Sequence, residues 1–402
     1  LHLTAALRAG DANLINVWTV RAMTRQGIKA SNGALLKLRA RPEHLYGTAP
    51  FTFVDRQRKP PIALLRDHPV AHVGQPLLFA VVAPGGDPAG LVAADAHGIA
   101  AQQSDQHLTL ELDGLAKQKG VTAVVDCGVA PGLSNVIAGY VQNKMERIDS
   151  YVCYVGGLPR VRSWPYEYKA VFSPRDVLEE FTRPSRLVEH GQLVVRPALS
   201  EVELIDFKGV GTLEAFNTDG LRSLARTMDI PFMKEKTMRY PGHANLVRAF
   251  RDSGFFGTDD IDVAGQMVKP IDVTAKLMFE QWRMKEGEED LTVMQVIMDG
   301  HQDGMRVRRD FYLVDGYDTE TNTTSMARTT GYTCSIVARQ VLEGMFTRKG
   351  ICPPEYVGAT TGCYEHLLIE LEHRGIHVEE VVTETAETSD EHMVSVFQRQ
   401  IA

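Results

Sequence analysis

The sequence predicts a two-domain protein of the α/β class. Its 402 residues exceed the size that a single hydrophobic core usually serves. A β-branched run at 121–125, a loop containing glycine and proline, and an amphipathic helix after residue 134 form one strand–loop–helix unit. From residue 148 onward strands and helices continue in mixed order, which predicts a second domain of the α+β type.

The remaining elements follow from hydrophobic period and from cap residues. A helix is expected before the stop at Gly120, and 150–155 has the alternation of a half-buried strand. Ser173 and Pro174 supply a cap and a first-turn proline for a helix that begins at 174. Further elements are predicted as strands at 192–196, 202–207, 212–216 and 232–240, a hairpin of 291–298 with 306–314, and helices at 219–228, 243–253, 273–282, 330–345 and 363–372.

Composition excludes several classes of protein. No apolar run approaches the roughly 20 residues of a membrane helix, and a net charge of -8 provides no extended basic surface for nucleic acid. Five cysteines without a CxxC pair argue against a disulfide framework and a thiolate zinc site, so we expect a cytoplasmic protein without a metal. The chain begins at Leu1 without the pattern of a signal peptide, which we interpret as a missing start rather than as secretion.

Two compositions meet near residue 110. Residues 1–110 carry 11 basic and 7 acidic side chains, although the whole chain is acidic. They hold six of the 13 histidines, no cysteine and a single glutamate, Glu43. Glutamate is among the commonest residues of folded domains, so this stretch is unusual for a native core.

The loop at 126–135, with the sequence DCGVAPGLSN, is the most informative local feature. It follows a strand and opens a helix, and ligands of open α/β sheets collect at this kind of strand end. Free N–H groups at the helix start could hold an anionic group such as a substrate carboxylate. For an isolated segment the alternative is that Gly128, Pro131 and Gly132 only build a tight turn.

Several long phrases accompany this loop along the sequence. They are DCGVAPGLSN (126–135), YVGGLP (154–159), YKAVFSPRDVLEEFTRPSR (168–186), GTLEAFNTDGLRSL (211–224), RYPGHANL (239–246) and SMARTTGY (325–332). Together they resemble the substrate half of saccharopine dehydrogenase-like oxidoreductases, a family that includes lysine 6-dehydrogenases. The resemblance covers most of residues 108–376.

The resemblance implies a fold and a reaction. The fold is a Rossmann-like nucleotide-binding domain with an α+β substrate and dimerisation domain. The reaction transfers a hydride from the carbon that bears a lysine side-chain nitrogen to NAD or NADP, and water opens the resulting imine. A homodimer with a small amino-acid substrate is expected, with neither nucleic acid nor membrane as a partner.

Such chemistry needs cations for carboxylates, a group that accepts a proton, and a cofactor site. The candidates for substrate binding are Gly132, Asn135, Arg175 and Arg239. The candidates for proton transfer, which the sequence does not separate, are Asp126, Tyr168, Lys169 and His243. The candidates for cofactor binding are Cys127, Gly128, Pro131 and Thr330.

Each candidate also has an ordinary structural role. An arginine is most often a solvated surface charge, an asparagine before a helix a cap, and a cysteine without a base an inert core residue. Thr330 could simply begin a helix.

The resemblance implies four segments. They are 1–107 in place of a Rossmann half, 108–147 as the end of the nucleotide-binding domain, 148–324 as the substrate and dimerisation domain, and 325–402 as helices packing back on the first domain. No GxGxxG occurs before Gly120, and Gly85 to Gly90 has the wrong spacing and a proline where a phosphate needs an N–H.

Two explanations of residues 1–107 remain open. One is a divergent or replaced domain, and the other, which we favour, is a translation out of register. Two other functions also remain open beside the dehydrogenase: a non-catalytic relative that retains the substrate and dimerisation domain, and an oxidoreductase like carboxynorspermidine synthase.

Overall fold

The computed structural model describes residues 80–82, 113–118, 120–171 and 174–385, without the side chains of 80–82, 174, 175 and 385. Apart from 80–82, the predicted segment 1–107 lies outside the described residues, and so does the glycine cluster at 85–90. The chain divides into two compact units. Unit 1 holds the described residues up to Cys127 together with Cys334–Pro353, and unit 2 holds the rest.

The strands and helices are numbered in sequence order over the described residues. The strands are β1 (Ala80–Val82), β2 (Thr122–Val124), β3 (Arg147–Pro159), β4 (Ser185–Glu189), β5 (Gln192–Arg196), β6 (Glu203–Phe207), β7 (Gly211–Asn217), β8 (Phe232–Arg239), β9 (Ile261–Val263), β10 (Gln266–Val268), β11 (Asp290–Gln302), β12 (Met305–Gly316), β13 (Gly350–Cys352) and β14 (Val378–Thr385). The helices are α1 (113–118), α2 (Leu133–Gln142), α3 (Pro174–Thr182), α4 (Leu224–Thr227), α5 (His243–Asp252), α6 (Pro270–Trp282), α7 (Ser325–Leu342), α8 (Pro354–Gly358) and α9 (Cys363–Glu372).

The described part of unit 1 is a small sheet in the order β1-β2-β13. β13 runs parallel to β2, and β1 runs antiparallel to it. The hydroxyl of Thr122 on β2 donates to the carbonyl of Arg348 at 2.7 Å, and the Asp113 carboxylate accepts the N–H of Ile351 at 2.9 Å. These contacts tie α1 and β2 to the segment that contains β13.

Unit 2 is built on a sheet in the order β14-β12-β11-β3-β8-β4-β5, with β7 also pairing β8 and β6 pairing β7. Neighbouring strands are antiparallel except for the central pair β3 and β8, which is parallel. The mixed α/β fold predicted from the sequence is confirmed at this level.

Two cores lie on opposite faces of this sheet. Helices α3, α5 and α6 bury one face, where Phe181, Phe216 and Trp282 are packed together. On the other face Val152 and Met238 belong to a second apolar cluster. Because both faces of β3 and β8 are buried, a polar group on either strand lies in the interior.

Two predicted helices have different bounds in the structure, and tertiary contacts explain both. The helix predicted at 219–228 is reduced to α4, because the Asp219 carboxylate accepts the N–H and the guanidinium of Arg186 instead of starting a helix. The helix predicted at 330–345 begins earlier as α7, since the buried carboxylate of Asp290 caps the N–H groups of Ser325 and Met326 at 2.7 and 3.0 Å. Strands β4 and β14 were not predicted.

Helices α2 and α8 are in contact at two glycines. An ideal Cβ on Gly139 would lie 1.9 Å from the carbonyl oxygen of Glu355, and one on Gly358 would lie 1.9 Å from that of Val136. Backbone atoms cannot move aside for a methyl group as the end of a flexible side group does. The approach of the two helices therefore requires glycine at both positions.

We expect Gly139→Ala to lower the free energy of unfolding by about 3 kcal/mol, because the methyl group forces α2 away from α8. The matched control is Gly114→Ala in α1, where nothing lies within 4 Å of the added Cβ. This control should stabilise the protein by up to about 1 kcal/mol through helix propensity. Urea denaturation measures both variants, and equal midpoints for the two would contradict the proposed helix contact.

Candidate active site

The predicted ligand loop is closed by its own hydrogen bonds. Gly132 has φ 140, and an ideal Cβ there would lie 2.0 Å from the carbonyl oxygen of Gly128. The Gly132 N–H donates to Asn135 Oδ1 at 3.1 Å, the Leu133 N–H to the Gly128 carbonyl at 2.9 Å, and the Ser134 N–H to the Val129 carbonyl at 3.0 Å. The expectation that free N–H groups at this helix start hold an anion is therefore wrong for these three groups.

Asn135 is buried and its amide is fully engaged. Its Nδ2 donates to Glu355 Oε2 at 3.1 Å and to Ser223 Oγ at 3.4 Å, while Oδ1 accepts the Gly132 N–H. The Glu355 carboxylate also accepts from the hydroxyls of Ser223 and Thr227. Burial raises the pKa of Glu355. These contacts join α2, α4 and α8. Asn135 is the third residue of α2, and it accepts the N–H of the N-cap residue Gly132 from inside the helix instead of preceding it as a cap.

The candidate cofactor residues do not form a phosphate cradle. Cys127 is fully buried, and a hydrogen bond with Cys334 together with burial raises the pKa of its thiol, so it stays protonated. A Cβ on Gly128 would lie 3.2 Å from Thr330 Cγ2 and from the Pro131 carbonyl oxygen, so this side of the loop is closely packed. The described residues of the loop therefore do not fit a pyrophosphate. The expected dinucleotide half falls on residues outside those described.

Arg239, at the end of β8, is buried at 2% exposure. Its Nη2 donates to Glu180 Oε2 at 3.1 Å and its Nη1 to the Met238 carbonyl at 2.9 Å. The guanidinium carbon lies 4.6 Å from the centre of the Tyr168 ring, a cation–π distance. A buried cation, one carboxylate and an aromatic face thus meet at the end of this strand.

His243, the first residue of α5, lies beside this pair. Its ring is 5.4 Å from that of Tyr168, and its Nδ1 is 3.1 Å from the Tyr166 carbonyl oxygen. Burial and the charge of Arg239 lower the pKa of His243 to about 3, so the imidazole is neutral at neutral pH. Because the carbonyl can only accept, Nδ1 carries the proton and Nε2 is a bare acceptor.

Four polar atoms in this cluster have no hydrogen-bond partner among the described residues: Tyr168 Oη, His243 Nε2, Trp282 Nε1 and Arg239 Nε. The centres of the Trp282 and Tyr168 rings are 5.4 Å apart, so the unpartnered Trp282 Nε1 and Tyr168 Oη belong to two rings in contact. Burial raises the pKa of Tyr168, which keeps the phenol neutral. A buried polar atom without a partner costs about 1–3 kcal/mol, so a polar ligand that binds these atoms would recover that energy.

The other three candidates, Lys169, Asp126 and Arg175, have different surroundings. Lys169 follows Tyr168, but its ammonium pairs with Glu288 Oε1 at 3.2 Å and donates to the Arg283 carbonyl at 3.3 Å. Asp126 has φ 52 in the strand-to-loop turn and belongs to unit 1. Arg175 is the second residue of α3, and its side chain lies outside the described part of the molecule.

Two acidic residues of this face were missed by the sequence analysis. Glu180 on α3 pairs with Arg239, and burial raises its pKa. Glu235 on β8 is 4% exposed, its Oε2 has no partner among the described residues, and burial and the charge of Glu180 raise its pKa to about 8. The FMKEKTMR strand reads as half exposed, so no local signal marks Glu235 as buried.

None of the described helices is long and apolar enough to cross a membrane.

Three curated relatives are similar to this chain. Bovine mitochondrial α-aminoadipic semialdehyde synthase is 28% identical over an alignment of 165 residues, and the match covers 37% of this chain and 18% of that protein. The Schizosaccharomyces pombe saccharopine dehydrogenase [NADP(+), L-glutamate-forming] is 21% identical over an alignment of 321 residues, and the match covers 61% of this chain and 70% of the relative. Carboxynorspermidine synthase of Vibrio cholerae is 24% identical over an alignment of 250 residues, and the match covers 58% of each protein. The matched region thus spans less than a fifth of the bovine enzyme.

A solved structure shares the fold. The apo form of the L-Glu-forming saccharopine dehydrogenase from Saccharomyces cerevisiae matches with a TM-score of 0.53 at 18% identity, over 64% of this chain and 73% of that one. The saccharopine dehydrogenase C-terminal domain matches residues 128–376, more than half of the chain, and this range includes β3, β8 and the cluster around Arg239. The resemblance seen in the sequence is confirmed: this chain belongs to the saccharopine dehydrogenase family, through its C-terminal domain.

Proposed function

We propose that this protein is an NAD(P)-dependent oxidoreductase that acts on the C–N bond in the side chain of lysine, saccharopine or a related amino acid. The observation that carries the proposal is the buried guanidinium of Arg239 with its unpartnered Nε, set among unpartnered donors and an acceptor. The family relationship supports the reaction class, and the names of the relatives support the substrate class.

The cluster suits the head group of an amino acid. Arg239 Nε and Trp282 Nε1 each carry an N–H group, and a substrate carboxylate can accept a hydrogen bond from both. Glu180 accepts from Arg239 and provides the negative charge that an α-ammonium group needs nearby. A paired cation and carboxylate with unused hydrogen-bonding capacity therefore match a zwitterion better than a purely anionic or apolar ligand.

The protonation states limit which residue handles protons. His243 is neutral with a pKa of about 3, so it is a weak base that orients a ligand through Nε2. Tyr168 stays a neutral phenol and is suited to donating a hydrogen bond, because burial raises its pKa. In the proposed mechanism, Arg239 and Trp282 hold the carboxylate, while Tyr168 and His243 fix the orientation of the substrate beneath α3 and α6.

Cofactor use is proposed on the family relationship and on the NADP(+) in the name of the fission yeast relative. In the described loop at 128–135 the N–H groups of Gly132, Leu133 and Ser134 are already hydrogen-bonded within the protein, so these three groups would not hold a pyrophosphate. We also propose the homodimer and the cytoplasmic location that the sequence led us to expect.

The test is binding and turnover with the full-length protein. We expect NAD or NADP to bind in calorimetry, and the nicotinamide absorbance to change when L-lysine or L-saccharopine is added. Turnover of carboxynorspermidine alone would favour the second candidate, which the Vibrio relative supports. If neither cofactor binds at millimolar concentration, the enzyme proposal fails and the protein is a non-catalytic relative.

A further inference from the structure

Glu235 and Tyr151 form a second polar group on the helix-covered face of the sheet. β3 and β8 pair with Cys153 opposite Glu235, and side chains two residues apart on a strand share a face. Tyr151 therefore lies on the same face as Cys153 and Glu235, whereas Val152 lies in the core of the opposite face. Tyr151 on β3 and Glu235 on β8 are therefore diagonal neighbours on two adjacent strands.

Both residues have an unpartnered buried atom. The hydroxyl of Tyr151 is fully buried, and neither it nor Glu235 Oε2 has a hydrogen-bond partner among the described residues. Space for the Glu235 carboxyl comes from Gly220, where an ideal Cβ would lie 1.7 Å from Oε1. Gly220 thus lies against a carboxyl group whose Oε2 has no donor within the described part of the chain.

The oxygens of this group indicate the kind of ligand. The charges of Glu180 on α3 and Asp219 raise the pKa of Glu235, and the charge of Arg222 lowers it. Asp219 is paired with Arg186 at 2.8 Å, and Glu180 with Arg239 at 3.1 Å. The oxygens of the Glu235 carboxylate and of the Tyr151 phenol can both accept N–H bonds. An amine, which has several N–H donors, can bind both oxygens.

The group is aligned with Arg239. Both residues are on β8, four positions apart and on the same face, which is about 13 Å between their backbones. Glu180 interacts with each of them. A ligand with a carboxylate at one end and an amine at the other would bind both ends of this row.

We propose that Glu235 and Tyr151 form the subsite for the side-chain amine of the substrate, with Glu235 as the group that accepts its proton. This rests on the proposed function, in which Arg239 binds the carboxylate. The step is R–NH3⁺ plus the Glu235 carboxylate giving R–NH2 plus the carboxylic acid, so charge and protons balance. The neutral amine then has the free electron pair that C–N oxidation requires.

The protonation of free Glu235 makes the subsite measurable. At pH 7 the buried carboxyl holds its own proton, since its pKa is about 8. An ammonium ligand brings another proton, and its positive charge next to Glu235 favours the ionised carboxylate over the carboxylic acid. Binding of lysine therefore releases up to about one proton to the buffer. L-Norleucine, which lacks only the side-chain amine, releases none.

The experiment is calorimetry of the full-length protein with L-lysine and L-norleucine at pH 7, in two buffers that differ in ionisation enthalpy. We expect wild type to bind lysine at least tenfold more tightly and to release a proton with it. Glu235→Gln should bind both ligands equally and release no proton, with its norleucine affinity unchanged. Gly220→Ala, which displaces the carboxyl group, should reduce the preference for lysine.

The control is Asp299→Asn, a carboxyl group that accepts from Ser150 on the other face of the same sheet. It should retain both the preference and the proton release. Equal binding of lysine and norleucine by wild type overturns the amine subsite but leaves the carboxylate site of Arg239 intact. Binding of neither ligand overturns the proposed function itself.

Discussion

Glu235 should make the protein less stable as the pH rises from about 4.5 to about 8. Its pKa is raised to about 8 in the folded protein from the 4.5 of an ordinary glutamate, so the unfolded protein releases this proton first. The contribution is fully present below pH 4.5 and is lost by pH 8. A shift of this size corresponds to about 5 kcal/mol in the free energy of unfolding.

Urea denaturation of wild type and Glu235→Gln at pH 5 and pH 8 measures this contribution. The amide cannot ionise, so the free energy of unfolding of the variant should rise by several kcal/mol relative to that of wild type between pH 5 and pH 8. His243 acts in the opposite direction, because its pKa of about 3 costs stability as the pH falls below 6.5. It is present in both proteins and cancels in the comparison. A difference between variants that does not change with pH would contradict the buried, neutral Glu235.

Removing the guanidinium of Arg239 should cost about 3–5 kcal/mol, because Glu180 then loses its charged partner in a largely buried position. Arg239→Met keeps much of the apolar stem, so the loss reports the charge more than the packing. The matched control is Arg226→Met on the exposed surface, which should change stability by less than about 0.5 kcal/mol. Denaturant midpoints measure both.

A double variant separates stability from binding at this site. Glu180→Gln combined with Arg239→Met removes the unpaired carboxylate, so we expect it to regain most of the lost stability. The double variant should still bind norleucine at least tenfold more weakly than wild type, because the carboxylate of norleucine no longer has the Arg239 guanidinium as a hydrogen-bond donor. If Arg239→Met alone binds norleucine as wild type does, Arg239 is a structural ion pair and the carboxylate site lies elsewhere.

Local sequence patterns predicted those elements that local forces define. The apolar faces of α3, α5 and α9 were readable in the sequence, and the predicted bounds of these helices agree closely with the structure. The start of α7 was not readable, since the group that caps it is Asp290, 35 residues away. The hairpin of β11 and β12 is longer than predicted, and β3 pairs with β11 from Asp290 to His301, beyond the predicted end of that strand.

The candidate site shows the same division. Tyr168, Arg239 and His243 were proposed from the sequence and lie together in the structure. Glu180 and Trp282 were not proposed, because they lie on α3 and α6, and no local pattern predicts the contacts of these helices with Arg239 and Tyr168. Glu235 was not proposed, because no local signal marks it as buried. Asn135 was proposed as a ligand residue, and the structure instead places its amide between Gly132 and Glu355.

By itself the sequence determined the family and the mixed α/β class, because several long phrases in a fixed order are more specific than any single motif. It also determined the chemistry available, since residue types set which groups can donate, accept or carry charge. Only the tertiary structure decided which of these groups are buried, paired or left without a partner. Burial and neighbouring charge, which depend on distant elements, separate the neutral His243 from the protonated Glu235 on one face of the sheet.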